Sequence, residues 1–572
     1  MNKYKSIDSY NIIIVFLATL LACSISILGG ELDYAGNDDA FRNLVSVGAF
    51  GPMYNYYIPF SNILYGIPIA LFNRLFPLIN WYYWTMIVLS MISIASLCVI
   101  LFYRHSKIIA FLGSFLINII FSRDYYVAVQ FTKTASLWIA CGIGLVFISM
   151  RNRDKCWILG TILFLFGAGS RMDCLYMMMP FIMAFCAIFF LMNRKKLKKE
   201  NILIFAVRTL VLVLTVVVLL ASEMVFRAIN PEWNEYWSYN SASAYLRDHM
   251  SINYDHDPER YEKIKTGYND IELYNQWIFG DLDFYNRGWL YDVIDIERKH
   301  NNNQINLNLS TLKETVVNLT NAHERIPGLS KLILVSAFCL ILLLFLLGNK
   351  YSKLYALFNV FCVYTIYWYF TCVNRFMWRA ECGTYVAVIV FSIVYICISE
   401  NEKSIIRYIN GEKAKKLLII AGSIAVIVFI WNNIYEWRYT KEKSIVAHEA
   451  DITGRLYSFL SDKDNFYMLT DFYVTNNPVS ITRAKYGSIF ENSAYLGNWI
   501  FPSPDSLYYC TQRGIKNPMK ALVDDKVYLH CSNSEVAEMI RRHLCKCLSK
   551  NLELIQVDDE LWDIKEIYVI KE

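Results

Sequence analysis

The sequence predicts an α-helical polytopic membrane protein of about eleven transmembrane helices, with a small extracytoplasmic α/β domain at its C-terminal end. Three observations predict it. Of 572 residues, 56% are hydrophobic and only 18% are charged, and mean hydropathy is +0.31, an apolar excess that a soluble chain of this length does not carry. Apolar runs of spanning length recur as far as about residue 432. Beyond it the runs stop and short β-type segments alternate with charged sequence.

The apolar runs fall at about 11–30, 81–103, 107–122, 130–150, 156–170, 174–192, 202–228, 331–348, 354–371, 384–399 and 417–432, each long enough to span or nearly so. The first has no small-residue cleavage site before Glu31 and reads as a retained anchor. A twelfth segment, 59–77, carries Pro68 and Arg74. Positive charge decides its status. The basic clusters at 2–5, 104–107, 151–155, 193–199, 349–353 and 402–416 all fall on one side only if 59–77 does not cross. The positive-inside rule therefore favours a plasma-membrane (cytoplasmic-membrane) protein with its N-terminus inside and its C-terminal domain outside, and 59–77 as a re-entrant or juxtamembrane element.

This topology divides the chain into a membrane domain, 1–432, and a soluble domain, 433–572. In the soluble domain, "NFYMLTDFYV", "KVYLHC", "LELIQV" and "EIYVI" read as strands and "SEVAEMIRRHLCKCL" as a helix. Outside the membrane lie the loop 31–80, the short segment 122–133 and the large Tyr/Trp-rich loop 229–330. A net charge of +5, spread over short loops, carries no nucleic-acid signature. The 15 cysteines include no CxxC pair. Cys545 and Cys547 form a CxC whose default reading is packing, so no metal ligand is assigned; the cofactor is left unknown, with a divalent metal open but not indicated by the sequence.

The outside ends of the spans collect charge. Asp38 and Asp39 follow the first span; Arg123 and Asp124 lie between the third and fourth, with Lys133 opening the fourth. Arg171 and Asp173 join the fifth to the sixth, and Arg375, Arg379 and Glu381 join the ninth to the tenth. Charges at the hydrocarbon edge are costly unless paired or facing a wet cavity. Taken singly they read as interhelical ion pairs; taken as a converging set they read as a site. Glu31 and Asp33 read as solvated loop residues. Arginine forks suit a lipid phosphate, and a carboxylate beside them suits a general base that takes a proton from a hydroxyl.

An N-terminal span, an outside loop opening with "NDDAF", the juxtamembrane element "NILYGIPIALFNRLFPLINWYYW" and seven spans before a large outside loop resemble the GT-C class of membrane glycosyltransferases over roughly residues 1–400. The resemblance implies a polyprenyl-phosphate-linked sugar donor, a glycan or lipid acceptor, hexosyl or pentosyl transfer with inversion, and a catalytic acid in the first outside loop, here Asp39 or Asp38. It leaves Arg123, Asp124, Lys133, Arg171, Asp173, Arg375, Arg379 and Glu381 as candidate substrate-binding residues. The class often carries a further acidic motif in the second outside loop, where this chain has Arg123 and Asp124.

Three rival readings have their own signatures. A lipid-linked glycan polymerase or ligase depends on arginines in the large loop, where Arg287 is the nearest candidate. A transporter or flippase places charges mid-span and repeats its topology. A membrane acyltransferase needs an intramembrane histidine, and none of the eight lies centrally in an apolar run.

Overall fold

The computed structural model describes residues 9–51, 56–102, 105–152, 154–193, 199–300, 309–399, 412–440, 460–471 and 478–567. In chain order, helices α1 (Ser9–Gly29), α2 (Asn37–Val47), α3 (Ile63–Leu75), α4 (Trp81–Phe102), α5 (Lys107–Ser122), α6 (Phe131–Asn152), α7 (Cys156–Ser170), α8 (Met172–Asn193) and α9 (Lys199–Ile229) come first. The shorter polar helices α10 (Pro231–His249), α11 (Pro258–Lys263), α12 (Tyr268–Asn275), α13 (Arg287–Glu297), α14 (Leu309–Thr320) and α15 (Ala322–Arg325) fill the large loop. Helices α16 (Lys331–Leu347), α17 (Lys350–Cys372), α18 (Trp378–Ile398) and α19 (Glu412–Thr440) complete the bundle.

Each of the eleven apolar runs forms a helix over its described residues. Nine helices among the described residues are long and apolar enough to cross a membrane. The other two apolar runs, Cys156–Ser170 and Ile419–Ile434, are shorter. The spans divide by environment. The window in α6 is wholly buried and that in α18 nearly so, whereas that in α9 is hardly buried at all and presents Leu203, Val207, Leu210, Val213, Leu214 and Val217 outward, as a lipid-facing helix does. The short α7 is held against α6 by close backbone approach: a Cβ on Gly142 would lie 2.6 Å from the Gly160 carbonyl oxygen, so only small residues fit there.

Contacts at the helix termini sort the bundle into two ends. At one, Asn11 Nδ2 donates to the His105 carbonyl, Lys107 lies over Tyr10, and Arg208 donates to Ser149 Oγ and the Asp154 carbonyl. This is the end of the basic clusters, although 2–5 and most of 193–199 and 402–416 lie outside the described residues. At the other end β1 (Asp33–Tyr34), which follows α1, pairs in parallel with β2 (Ala128–Val129), which follows α5. Both ends of α3 lie here. Asn62 N donates to the Gly169 carbonyl, and the Pro77 carbonyl accepts from Ala484 N, while Asn73 Nδ2 donates to the Ser46 carbonyl. At 13 residues, α3 is about 20 Å long, shorter than the helices of spanning length.

The C-terminal region forms a five-stranded mixed sheet of β3 (Phe466–Leu469), β4 (Ser493–Tyr495), β5 (Val527–His530), β6 (Leu552–Asp558) and β7 (Leu561–Glu566), ordered β4-β3-β5-β7-β6. Three of the four expected strands coincide with β3, β5 and β6; the end of the fourth, 568–570, lies outside the described residues. Helices α20 (Arg483–Tyr486), α21 (Tyr508–Gln512) and α22 (Ser534–Leu548) accompany the sheet. Its core does not stop at residue 433. Leu273 and Ile278 of the large loop are part of it, and Phe501 in turn joins the loop's own core around Tyr239, Tyr274 and Trp289.

Candidate functional site

The site grows from α2. Gly36, in extended conformation, precedes the helix and puts Asp38 and Asp39 in its first turn, where the exposed amides and the helix dipole favour a carboxylate. Adjacent positions point in different directions, and the two aspartates meet different surroundings. Asp38 is half-buried and forms an ion pair with Arg379 Nη1 at 2.7 Å. Asp39 is fully buried. Its Oδ1 accepts from Tyr82 Oη at 2.8 Å and from Phe131 N at 3.1 Å; its Oδ2 is buried without a hydrogen-bond partner among the described residues. Burial pushes the Asp39 carboxyl up to about 6, against the opposing pull of Arg42 and the Tyr82 hydroxyl.

Arg42, one helical turn after Asp39, is also fully buried. Its Nη2 donates to Ser61 Oγ, which donates to the Ser170 carbonyl at 2.8 Å. Nε and Nη1 have no hydrogen-bond partner among the described residues. The guanidinium sits 3.6 Å from the Phe131 ring centroid, and Arg171 lies 5.0 Å from the same centroid. A buried carboxylate oxygen and two buried guanidinium nitrogens thus share one neighbourhood with donor and acceptor capacity in hand, an arrangement that folding alone penalises.

A second cluster adjoins the first. α5 ends in a π-helical turn, Arg123–Val127, which brings Asp124 inward. Lys133 Nζ donates to Asp124 Oδ1 at 2.7 Å and to the Ala128 carbonyl at 2.7 Å, and Trp378 Nε1 donates to the same Oδ1 at 3.1 Å. Asp124 Oδ2 is buried and without a hydrogen-bond partner among the described residues. Because Trp378 and Arg379 are consecutive, the start of α18 ties Asp124 to Asp38.

Glu381 is fully buried and accepts from Arg325 Nε and Nη2 at 3.0 and 2.9 Å and from Tyr367 Oη, so it is a closed ion pair. Arg171 also pairs with Asp173 at 3.2 Å, a largely exposed contact. Arg375 leaves the group and pairs with Asp248 of the large loop at 2.8 Å. Arg123 lines a cavity of about 300 Å³ with Ser26, Ser122, Asn432 and Asn433. That cavity is at the same end of the bundle, but neither aspartate lines it. Glu31 is exposed, as expected of a loop residue, whereas Asp33 is half-buried within β1.

The structure therefore brings Asp38, Asp39, Asp124, Lys133, Arg171 and Arg379 together and leaves Arg375 apart. Sequence reasoning missed Arg42, Tyr82, Phe131 and Arg325. Arg42 had a local signal, its i, i+3 spacing from Asp39 on a helix; the others are contacts across the fold. No protein-family model matches the chain, and neither a curated protein nor a solved structure is significantly similar to it.

Proposed function

We propose that the protein is a multi-pass membrane glycosyltransferase that moves a sugar from a polyprenyl-phosphate donor to a hydroxyl acceptor at the outer face of the plasma membrane. One observation carries the reading: the buried Asp39 and Arg42, each with unpartnered polar atoms, at the end of the bundle opposite the basic loops. Asp39 acts as general base. Its free oxygen takes the acceptor's hydroxyl proton as the acceptor oxygen bonds to the anomeric carbon and the bond to the phosphate breaks. Arg42, with Arg171 at the same aromatic ring, receives the negative charge that grows on the departing lipid phosphate. Asp38, Arg379, Asp124 and Lys133 hold the surrounding turns in register.

The reading also accounts for where the charges sit. A transporter would place them mid-span, but these lie in the first turn of α2, the π-turn after α5 and the first turns of α6 and α18. A polymerase of the kind that depends on Arg287 fits less well, since that residue is half-exposed and 3.8 Å from Glu235. The test is transfer of radiolabelled sugar from a panel of polyprenyl-phosphate sugars in membranes containing the wild type, Asp39→Asn or Arg42→Lys. The reading expects activity in the wild type and its loss in both variants; transfer by Asp39→Asn at the wild-type rate would remove the base. Orientation is checked separately by a reporter fused after Lys416, which should report from the cytoplasmic side.

A further inference from the structure

The C-terminal sheet domain contains a second buried polar cluster, sharing no residue with the Asp39 site, that the transfer chemistry does not use. It is built on α22, with His543 and Cys547 one turn apart on the same face, and on the large loop, which supplies Asp281 and Asp270. His543 is fully buried. Its Nδ1 lies 2.7 Å from Asp270 Oδ1. Its Nε2 lies 3.3 Å from Asp281 Oδ2 and 3.4 Å from Cys547 Sγ. Tyr285 stacks on the imidazole and Phe284 meets it edge-on, with ring centroids at 5.4 and 4.9 Å.

The two sides of the ring differ in kind. The Nδ1 contact has the length of a charge-assisted hydrogen bond. On the other side one nitrogen faces both an oxygen and a sulfur at longer range, so a single N–H would have to be shared between them. Metal geometry matches these spacings. With bonds of about 2.0–2.1 Å to nitrogen, 2.0–2.2 Å to oxygen and 2.3 Å to sulfur, tetrahedral angles put N···O edges near 3.3 Å and N···S edges near 3.6 Å. The donor atoms of Asp281, His543 and Cys547 all lie within 4.8 Å of one another.

The outer contacts are those that metal ligands require. Asp270 orients the imidazole through Nδ1, as carboxylates commonly do for metal-bound histidine. Asn517 Nδ2 donates to Asp281 Oδ1 at 2.7 Å, leaving Oδ2 toward the histidine. Lys546 pairs with Asp270, and Lys520 pairs with Asp283 at 2.6 Å and reaches Asp281 Oδ1 at 3.6 Å, on the oxygen turned away from the histidine. One carboxylate, one thiolate and a neutral imidazole then neutralise a divalent ion. Cys545, two residues from Cys547, belongs to another face and accepts from Arg541 Nη1, so the CxC is not the chelating pair.

We propose that Asp281, His543 and Cys547 bind a divalent zinc-type ion that pins the large loop to the C-terminal sheet domain. On binding, the Cys547 thiol proton and any proton on His543 Nε2 pass to solvent, and the three donor atoms bond to the ion, with water or another donor in the fourth position. The experiment uses the full chain in detergent micelles, stripped with chelator and titrated with Zn²⁺ and, in parallel, with Co²⁺, whose thiolate charge-transfer band reports a sulfur ligand. The expected result is one equivalent bound per chain, with a cobalt band that Cys547→Ser abolishes and Cys545→Ser leaves intact. Asp270→Asn should weaken binding about 10–100-fold. Absence of binding and of a cobalt band in the wild type would overturn the proposal and leave His543 as an imidazolium held between two aspartates. A band that survives Cys547→Ser, or that Cys545→Ser also removes, would equally overturn the assignment. The wild-type titration stands even if a variant does not fold.

Discussion

Asp39 and Glu381 are both fully buried carboxylates at the same end of the helix bundle, each with an arginine and a tyrosine for neighbours. Glu381 takes both arms of Arg325 and the hydroxyl of Tyr367. Asp39 takes Tyr82 and one backbone amide on a single oxygen, while Arg42 turns one nitrogen to Ser61 and leaves two without partners. Burying a charge is tolerable when its partners are complete and costly when they are not. The first arrangement is what a fold needs to join α15, α17 and α18. The second leaves hydrogen-bonding capacity unused, and on the proposed reading another molecule completes the set there.

The most direct way to break this comparison is to neutralise each acid in turn. Asp39→Asn should lower sugar transfer about 10²–10⁴-fold while leaving the melting temperature in detergent unchanged or raised, because a buried, incompletely partnered charge has been removed. Glu381→Gln should do the reverse. It leaves Arg325 facing a neutral amide and should destabilise the fold by about 3 kcal/mol, read as a fall in melting temperature, with transfer by the surviving folded protein retained. If Glu381→Gln melts like the wild type, or if Asp39→Asn melts far below it, the two sites are not of different kinds.

Titration sharpens the same contrast. With its carboxyl at about 6, Asp39 is half protonated there, and transfer should fall about tenfold for each pH unit below that value; the Asp39→Asn variant should lack this limb. Stability has the opposite sign. The native state holds this proton more tightly than the unfolded chain, whose carboxyl titrates near the ordinary aspartate value, so the contribution is full below about 4 and is lost as pH rises through about 6. A melting-temperature profile that slopes down over that window in the wild type and is flatter in Asp39→Asn is the expected outcome. The smallest effect belongs to Asp38→Asn. Its ion pair with Arg379 is half-exposed, and such pairs contribute about 0.2–1 kcal/mol. Loss of transfer in this variant, with Asp39→Asn active, would exchange the roles of the two aspartates.

Much of this was legible along the chain, for reasons that are local. Apolar runs are continuous in sequence, so all eleven helices could be placed from them. Pro68 and Arg74 set the segment that contains the short helix α3 apart from the continuous apolar runs. "SEVAEMIRRHLCKCL" carried helical periodicity and is α22 to the residue. The acids at the span ends were equally visible, but not their partners. Asp38 meets Arg379 across 341 positions and Asp39 meets Phe131 across 92, and nothing in either local pattern announces the pairing. Glu381 looked like a site residue for the same reason: the arginine that closes its ion pair is in the large loop, 56 positions away. The boundary at 433 was drawn from a change in composition, which is blind to a core assembled from two distant segments.

That shared core sets an order of events during synthesis. Ile278 bridges to Gly497, and the Leu496 carbonyl accepts from Phe279 N. The large loop thus leaves the ribosome about 220 residues before the segment it packs on, and four further apolar helices, α16 to α19, are made in between. At about 5–20 residues per second this is a wait on the order of ten to forty seconds. Throughout it, Leu273 and Ile278, which the finished protein buries, have no sheet to cover them. The loop's own aromatic core around Tyr274 and Trp289 is the neighbouring apolar surface already made while they wait. Truncating the chain after α19 therefore leaves a nascent surface uncovered rather than simply deleting a domain, and such a product should be cleared by quality-control proteases.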